Sequence, residues 1–508
     1  MKRLLIVLIV SVVLGLVGGV APAWAGDLLS NPSDTTQTVT QSNDGSNSVS
    51  QSATSAPTVT SGPNVAIANG DSCSPCGGSG TTAQNSGNTV DASSANSATQ
   101  ANNQSNAAGQ TQTVSGGSSG DTEQSADQSN SGSNSADQSA TSEPVVVSGP
   151  NVAALNSGDV DQNSGNDVDA STSNNANQTN DQSNRAGQSQ TVAGGSCCSS
   201  HGDPSQTASQ SNDGSNSADQ TATSSPVVIS GGNYAVLNRG NVDQNSGNTV
   251  HASASNTANQ SNHQSNSAGQ SQTVSGGNRC CNGHGDVSQS ADQSNSARNS
   301  ADQSAYSAPV VVSGPNVAVG NGWEHSACNP CGGSGDVNQN SGNTVFAPAS
   351  NSATQTNTQS NGLGQTQTVS GRSGCCGRPD DVSQSADQSN DAENSASQSA
   401  YSVPFVTSDS NYALFNKGDV NQNSGNVVYA PASNSATQTN NQSNTLGQSQ
   451  TVERSGCCSE NDCGSCHSSC EPQCDSGCEN ECDHACGHPC ENSCGHPRGP
   501  KHNECEKR

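Results

Sequence analysis

Aromatic residues are almost missing: 3 Phe, 2 Trp and 5 Tyr in 508 positions, beside a single Met. Hydrophobic residues of every kind, Ala and Cys included, reach 28%, where ordinary soluble domains carry about 45–50%. That shortage excludes a conventional enzyme, which at this length divides into domains of roughly 100–200 residues, each closed around an oily core. Positive charge is scarce too. Fourteen Lys and Arg stand against 42 Asp and Glu, a net charge of −28. Such a chain repels nucleic acid and anionic headgroups, so neither is an expected partner. Charged residues are still just 11% of the total, which excludes a polyelectrolyte tail. Two architectures remain: a disordered hydrated matrix polymer, or a fold whose interior is not oil.

Long apolar runs are confined to one place. Met1-Lys2-Arg3 is basic, positions 4–20 are apolar, and Ala23-Trp24-Ala25 is a small-x-small site. This reads as a secretory signal peptide, residues 1–25. No second apolar run of about 18 residues follows, so no membrane span is expected after signal removal. The expected location is secreted, extracellular or cell-surface, and the short basic start suggests a bacterial source. Catalytic motifs are missing as well. There is no GxSxG, HExxH or Walker loop, and the chain reads as a non-enzyme.

What the sequence has is repetition. QNSGN recurs from Gln84, Gln162, Gln244, Gln339 and Gln422. The expected organisation is five repeats, at 26–120, 121–202, 203–285, 286–379 and 380–456, followed by a Cys/His-rich tail at 457–508. Each repeat holds two polar arms around a more apolar stretch such as PVVVSGPNVAALN from Pro144. In the first arm of repeat 2, Gln124, Ala126, Gln128, Asn130, Gly132, Asn134, Ala136 and Gln138 fill the even positions. Ser, Thr and Asp fill the odd ones. In the second arm every charge (Asp167, Asp169, Asp181, Arg185) is odd-numbered, while Asn174, Ala176 and Gln178 are even. A strict period of two is strand geometry.

The predicted fold is therefore all-β: a repetitive β-solenoid of cross-β-like rungs. Its Asn and Gln stack in ladders, and an irregular Cys-rich tail follows. The ladder residues singled out are Gln124, Gln128, Asn134, Ala136, Gln138, Asn174, Ala176 and Gln178. Stacked amides hydrogen-bond along the stack, which supplies the partners that buried polar groups require. An arm of 31 residues at about 3.3 Å each spans roughly 100 Å, far beyond usual strands of 3–10 residues. Each arm is thus expected to fold back at its Gly/Asn/Ser clusters.

These arms resemble curlin repeats, the units of bacterial curli fibres. The likeness lies in Gln128, Gly132, Asn134, Ala136 and Gln138, and in Asn-x-Ala-x-Gln at Asn174, Ala176 and Gln178 and at Asn434, Ala436 and Gln438. Here Gly lies four after Gln and Asn two after Gly, and Ala297 and Ala392 take the Gly position in repeats 4 and 5. The resemblance implies a secreted structural protein that self-assembles into a fibre, matrix or surface layer of a biofilm, spore or cell envelope.

Export places 22 cysteines in an oxidising space. Vicinal pairs close repeats 2 to 5: Cys197 with Cys198, Cys280 with Cys281, Cys375 with Cys376, and Cys457 with Cys458. Adjacent cysteines bridge each other poorly, so links to another repeat, chain or surface protein are one reading. A local disulfide pinning a loop is the other. In the tail, Cys463 and Cys466 form a CxxC, and Cys470, Cys474, Cys478, Cys482, Cys486, Cys490 and Cys494 follow Cys466 at steps of four, with His467, His484 and His488 among them. No cofactor is required by disulfide cross-linking. The alternative is zinc or copper held by this tail, since thiolate and imidazole suit both metals.

Overall fold

The computed structural model describes residues 35–67, 81–115, 121–156, 158–193, 203–275, 286–320, 335–372 and 381–455. The chain divides after Gly456, and all described residues belong to the first part. The signal segment and all 22 cysteines lie outside the described residues. The cross-linking reading of Cys197, Cys198, Cys280, Cys281, Cys375, Cys376, Cys457 and Cys458 therefore falls outside them. So does the metal reading of Cys463, Cys466, Cys470, Cys474, Cys478, Cys482, Cys486, Cys490 and Cys494 with His467, His484 and His488.

The described chain is all-β, and each repeat makes one turn of a parallel solenoid. Repeat 2 shows the plan. An outbound arm, Thr122–Ser142, leads into four short tip strands, Val145–Val147, Asn151–Ala154, Val160–Asn163 and Asp167–Asp169. The return arm, Thr172–Ala193, then runs back. Equivalent strands of the five repeats pair in parallel, giving six five-stranded sheets. Register is residue on residue: Gln37, Gln124, Gln206, Gln289 and Gln384 form one column.

The arms do not fold back, contrary to the expectation from strand length. Outbound arms are single strands of 21 residues, and return arms run 22 to 24. The usual limit reflects sheet twist and finite cores. Flat sheets persist where side-chain ladders stack them, and here every arm lies on a near-copy of itself. Gly132 accordingly sits in mid-strand, not at a corner. Ala297 and Ala392 share its column without breaking the strand. The corners lie elsewhere, at Ser148-Gly149-Pro150 and Ser164-Gly165-Asn166.

The two kinds of glycine predict different mutants. A Cβ on Gly165 would stand 2.1 Å from the carbonyl oxygen of Gly247 in the next rung. Rigid backbone on a fixed stacking distance cannot yield. Gly165→Ala is expected to destabilise by about 1–3 kcal/mol, as overpacking does, read by chemical denaturation. At Gly132 the nearest atom is the flexible Gln182 Nε2 at 2.9 Å, and Gly132→Ala should change stability far less.

The outbound and return arms face each other and run in opposite directions: Asn130 lies opposite Asn184, and Asn134 opposite Asn180. Even-numbered residues of repeat 2 are buried between them and odd ones point outward. Alanine columns fill the space between amide columns, with Ala136, Ala176 and Ala218 in one cluster. Small side chains let the two sheets approach closely enough for the amides to bond across. At the tip the interior turns apolar. Val146, Val228 and Val311 stack in one column and Val168, Val250 and Val345 in another, and the two pack together as one apolar cluster under the short strands. Ser142 and Ser224 donate their hydroxyls to the carbonyls of Ala92 and Ala170 where arm meets tip.

Candidate functional site

The amide ladders are the chemically distinctive interior of this chain. All eight residues singled out from sequence are buried. Gln124, Gln128 and Gln138 donate their side-chain N–H groups to the side-chain oxygens of Gln37, Gln41 and Gln51 at 3.2, 2.8 and 2.9 Å. Asn174 donates to Asn256 at 2.9 Å, and Gln178 to Gln100 at 2.8 Å. Ala136 and Ala176 sit between these columns in the alanine cluster.

A second set of bonds was not legible in the sequence, because it joins facing arms. Gln178 Nε2 also donates to the Ser217 carbonyl at 2.8 Å, and Gln178 accepts from Gln260 at 2.9 Å. Both its amide hydrogens and an oxygen lone pair are thus engaged. Asn134 Nδ2 reaches both Asn216 and Asn180. A fully satisfied network of this kind fixes one register, since a slip by one residue sends every amide to the outer face.

The ladders have direction. Arm glutamines donate to the preceding repeat, as Gln206 does to Gln124 at 2.9 Å. Interior arm asparagines donate to the following one, as Asn130 does to Asn212 at 3.0 Å. The two ends of the stack are therefore different. Each return arm also bonds to the next repeat's outbound arm: Gln100, Gln178, Gln260 and Gln355 donate to the carbonyls of Ser135, Ser217, Ser300 and Ser395. Among the described residues no further repeat follows the return arm of repeat 5, Ala432–Ser455. The tip strands of repeat 5 are correspondingly uncovered: Val420 and Val428 are 46% and 45% exposed, where Val242 and Val250 are 0%.

Outside, the odd positions stack acid on acid. Asp137, Asp219 and Asp302 form one column. The Asp219 carboxyl is held above its ordinary value by partial burial first, then by the like charges of Asp302 and Asp137. A carboxyl raised in the folded state adds stability below its unfolded value, near pH 4. That stability is lost as pH rises through the folded value. Asp219→Asn should therefore stabilise the protein at pH 7, by roughly 0.2–1 kcal/mol for each relieved like-charge contact. The gain should vanish at pH 3, as thermal melts at the two pH values will read.

His251 and His263 are exposed, and the His251 ring lies 5.8 Å from Phe346. Among the described residues no cluster of three or more His, Cys, Asp or Glu is placed to hold a metal ion. No helix among them is long and apolar enough to cross a membrane. No family model, curated protein or solved structure matches this chain.

Proposed function

We propose that this is a secreted structural protein that assembles end to end into an extracellular fibre, matrix or surface layer, which its cysteines then cross-link. The reading rests on one observation: among the described residues no strand covers either end of the stack, and the two ends match. Gln438 Nε2 donates to Gln355 at 2.9 Å along the ladder, and its column donates across to a serine carbonyl in every earlier repeat. The corresponding serine of repeat 1 is Ser48. In a second copy stacked in register, Ser48 takes that position. Asn47 likewise takes the place opposite Asn440 that Asn394 holds opposite Asn357.

Donor polarity favours head-to-tail stacking. Repeat 5 offers glutamine oxygens to a following copy, and repeat 1 offers glutamine N–H groups to a preceding one. A head-to-tail contact that does not close into a ring propagates into a filament. Open parallel edges template this addition. The acidic exterior of the arms fits neither nucleic acid nor anionic lipid. The likeness to curlin repeats points the same way.

The experiment is electron microscopy of the mature oxidised protein with and without reductant. Unbranched fibres that sonicated fragments seed are expected, and reductant should leave fibres that dissolve in mild detergent. Monomer at every concentration, with a random-coil circular dichroism spectrum, would overturn the reading.

A further inference from the structure

The exterior of the tip breaks the rule that governs the arms. Outward positions of the arms are Ser, Thr, Asp and their like. In the second and third strands of the repeats, the outward positions are mostly apolar. Val147, Ile229 and Val312 stack in register, as do Val152, Tyr234 and Val317. Four such columns run the length of the five rungs. Of the 20 positions, 17 are apolar, three are Thr (Thr58, Thr60, Thr407) and none is charged. The opposite layer carries Asp161, Asn163 and Asp243 outward in its first tip strand, so the apolar facet lies on one side of the tip.

A second observation marks the facet. Directly after the third strand, Leu155, Leu237 and Phe415 hold φ of 58°, 57° and 56°, and repeat 4 has Gly320 at φ 64°. Glycine or asparagine is the usual occupant of this left-handed conformation. Here large apolar side chains take it and project into solvent, with exposures of 54%, 46% and 78%. Backbone energy is given up to place apolar surface outside, which points to contact with something.

We propose that this facet pairs with the same facet of a second copy, joining two stacks side by side. Three features select that occupant. At about 6.7 Å along the strand and ~4.8 Å between strands, 20 positions cover roughly 650 Å². Two copies then bury about 1,300 Å², within the range of specific, stable interfaces. Flat rows of β-branched residues at one repeat distance interdigitate with their like as dry zippers. Lipid is disfavoured, because surface-binding segments need basic residues. The facet has none, and the chain carries −28. Pairing does not depend on end-to-end stacking, so either can fail alone.

The test uses the mature full-length chain and two variants. One is Val147→Thr/Ile229→Thr/Val312→Thr, which extends the Thr already present at Thr60 and Thr407 in that column. The other is Leu155→Asn/Leu237→Asn/Phe415→Asn, which suits the backbone better than the native residues do. Mass per length by dark-field electron microscopy should give two chains per five rungs, roughly 24 Å, for the native protein and one for each variant. Variants should keep the native circular dichroism spectrum. One chain per five rungs in native filaments overturns the proposal, and so do variants that retain two. Native single stacks that float with phosphatidylcholine vesicles, when the variants do not, assign the facet to lipid and also overturn it. If no filaments form, sedimentation decides: a native dimer lost in both variants supports pairing while stacking fails, and a native monomer overturns pairing.

Discussion

Gln220→Glu should collapse the middle of the stack at neutral pH and regain part of its stability on acidification. Gln220 is fully buried in repeat 3. Its Nε2 donates to Gln138 Oε1 at 2.7 Å and to the Thr257 carbonyl at 2.9 Å, and its Oε1 accepts from Gln303 at 2.7 Å. A carboxylate keeps the last bond and loses the other two. Each buried acceptor left unpaired costs about 1–3 kcal/mol, and an unpaired buried charge adds roughly 3–5 kcal/mol. Burial raises the new carboxyl's pKa. Stability therefore rises as pH falls through that raised value, and the charge penalty is gone below about pH 4. Gln220→Leu keeps the size without the charge, so its smaller loss should not depend on pH. Chemical denaturation at pH 7 and pH 4 separates the two variants. A loss under about 1 kcal/mol for the Glu variant would place this side chain in water rather than in a ladder.

Proline at the open end should stop growth without unfolding the rungs beneath it. In the column of Ser94, Thr172, Ala254 and Ala349, each N–H bonds forward to the following repeat, at the carbonyls of Ser171, Ser253, Pro348 and Pro431. The fifth member is Ala432, whose N–H points by the same register toward the next copy. The column of Thr82, Val160, Val242 and Val337 behaves likewise and ends at Val420. Val420→Pro/Ala432→Pro removes two donors from the growing face alone, and edge strands tolerate proline. Two lost interface bonds at about 1–1.5 kcal/mol each, with the rings as steric blocks, should raise the critical concentration at least tenfold. Sedimentation of assembled protein reads it, and thermal stability of the unassembled chain should stay near native. The same exchange at Ala254, where a native partner exists, should instead destabilise the fold. Unchanged assembly by the end-face variant would mean that copies do not add at repeat 5.

The inner and outer faces of the arms were legible because parity segregated the charges of repeat 2 from its ladder amides, as with Asp181 and Arg185 against Gln178 and Gln182. Register followed from repetition, since Gln124 has one like residue per repeat. Arm length was not legible. Chain length alone predicted fold-back, and the stabilisation that permits a 21-residue strand comes from neighbours a whole repeat away. Gly132 misled for the same reason, since a glycine between Asn130 and Asn134 looks like a turn until its neighbours are known. The bonds between facing arms, such as Gln178 to Ser217, depend on the offset of each return arm toward the next outbound arm, which no local pattern encodes. The outward apolar rows did carry a signal. In PVVVSGPNVAALN both parities are apolar, unlike the arms, and that marks strands with two occupied faces.

The central claim is that like residues stack one rung apart and that the stack continues from copy to copy. X-ray diffraction from aligned fibres of the mature protein measures both at once. A strong meridional reflection at about 4.7–4.8 Å is predicted from the rung spacing, with a weak one near 24 Å from the five unequal repeats of each chain. Fibres lacking the meridional 4.7–4.8 Å reflection would contradict the account.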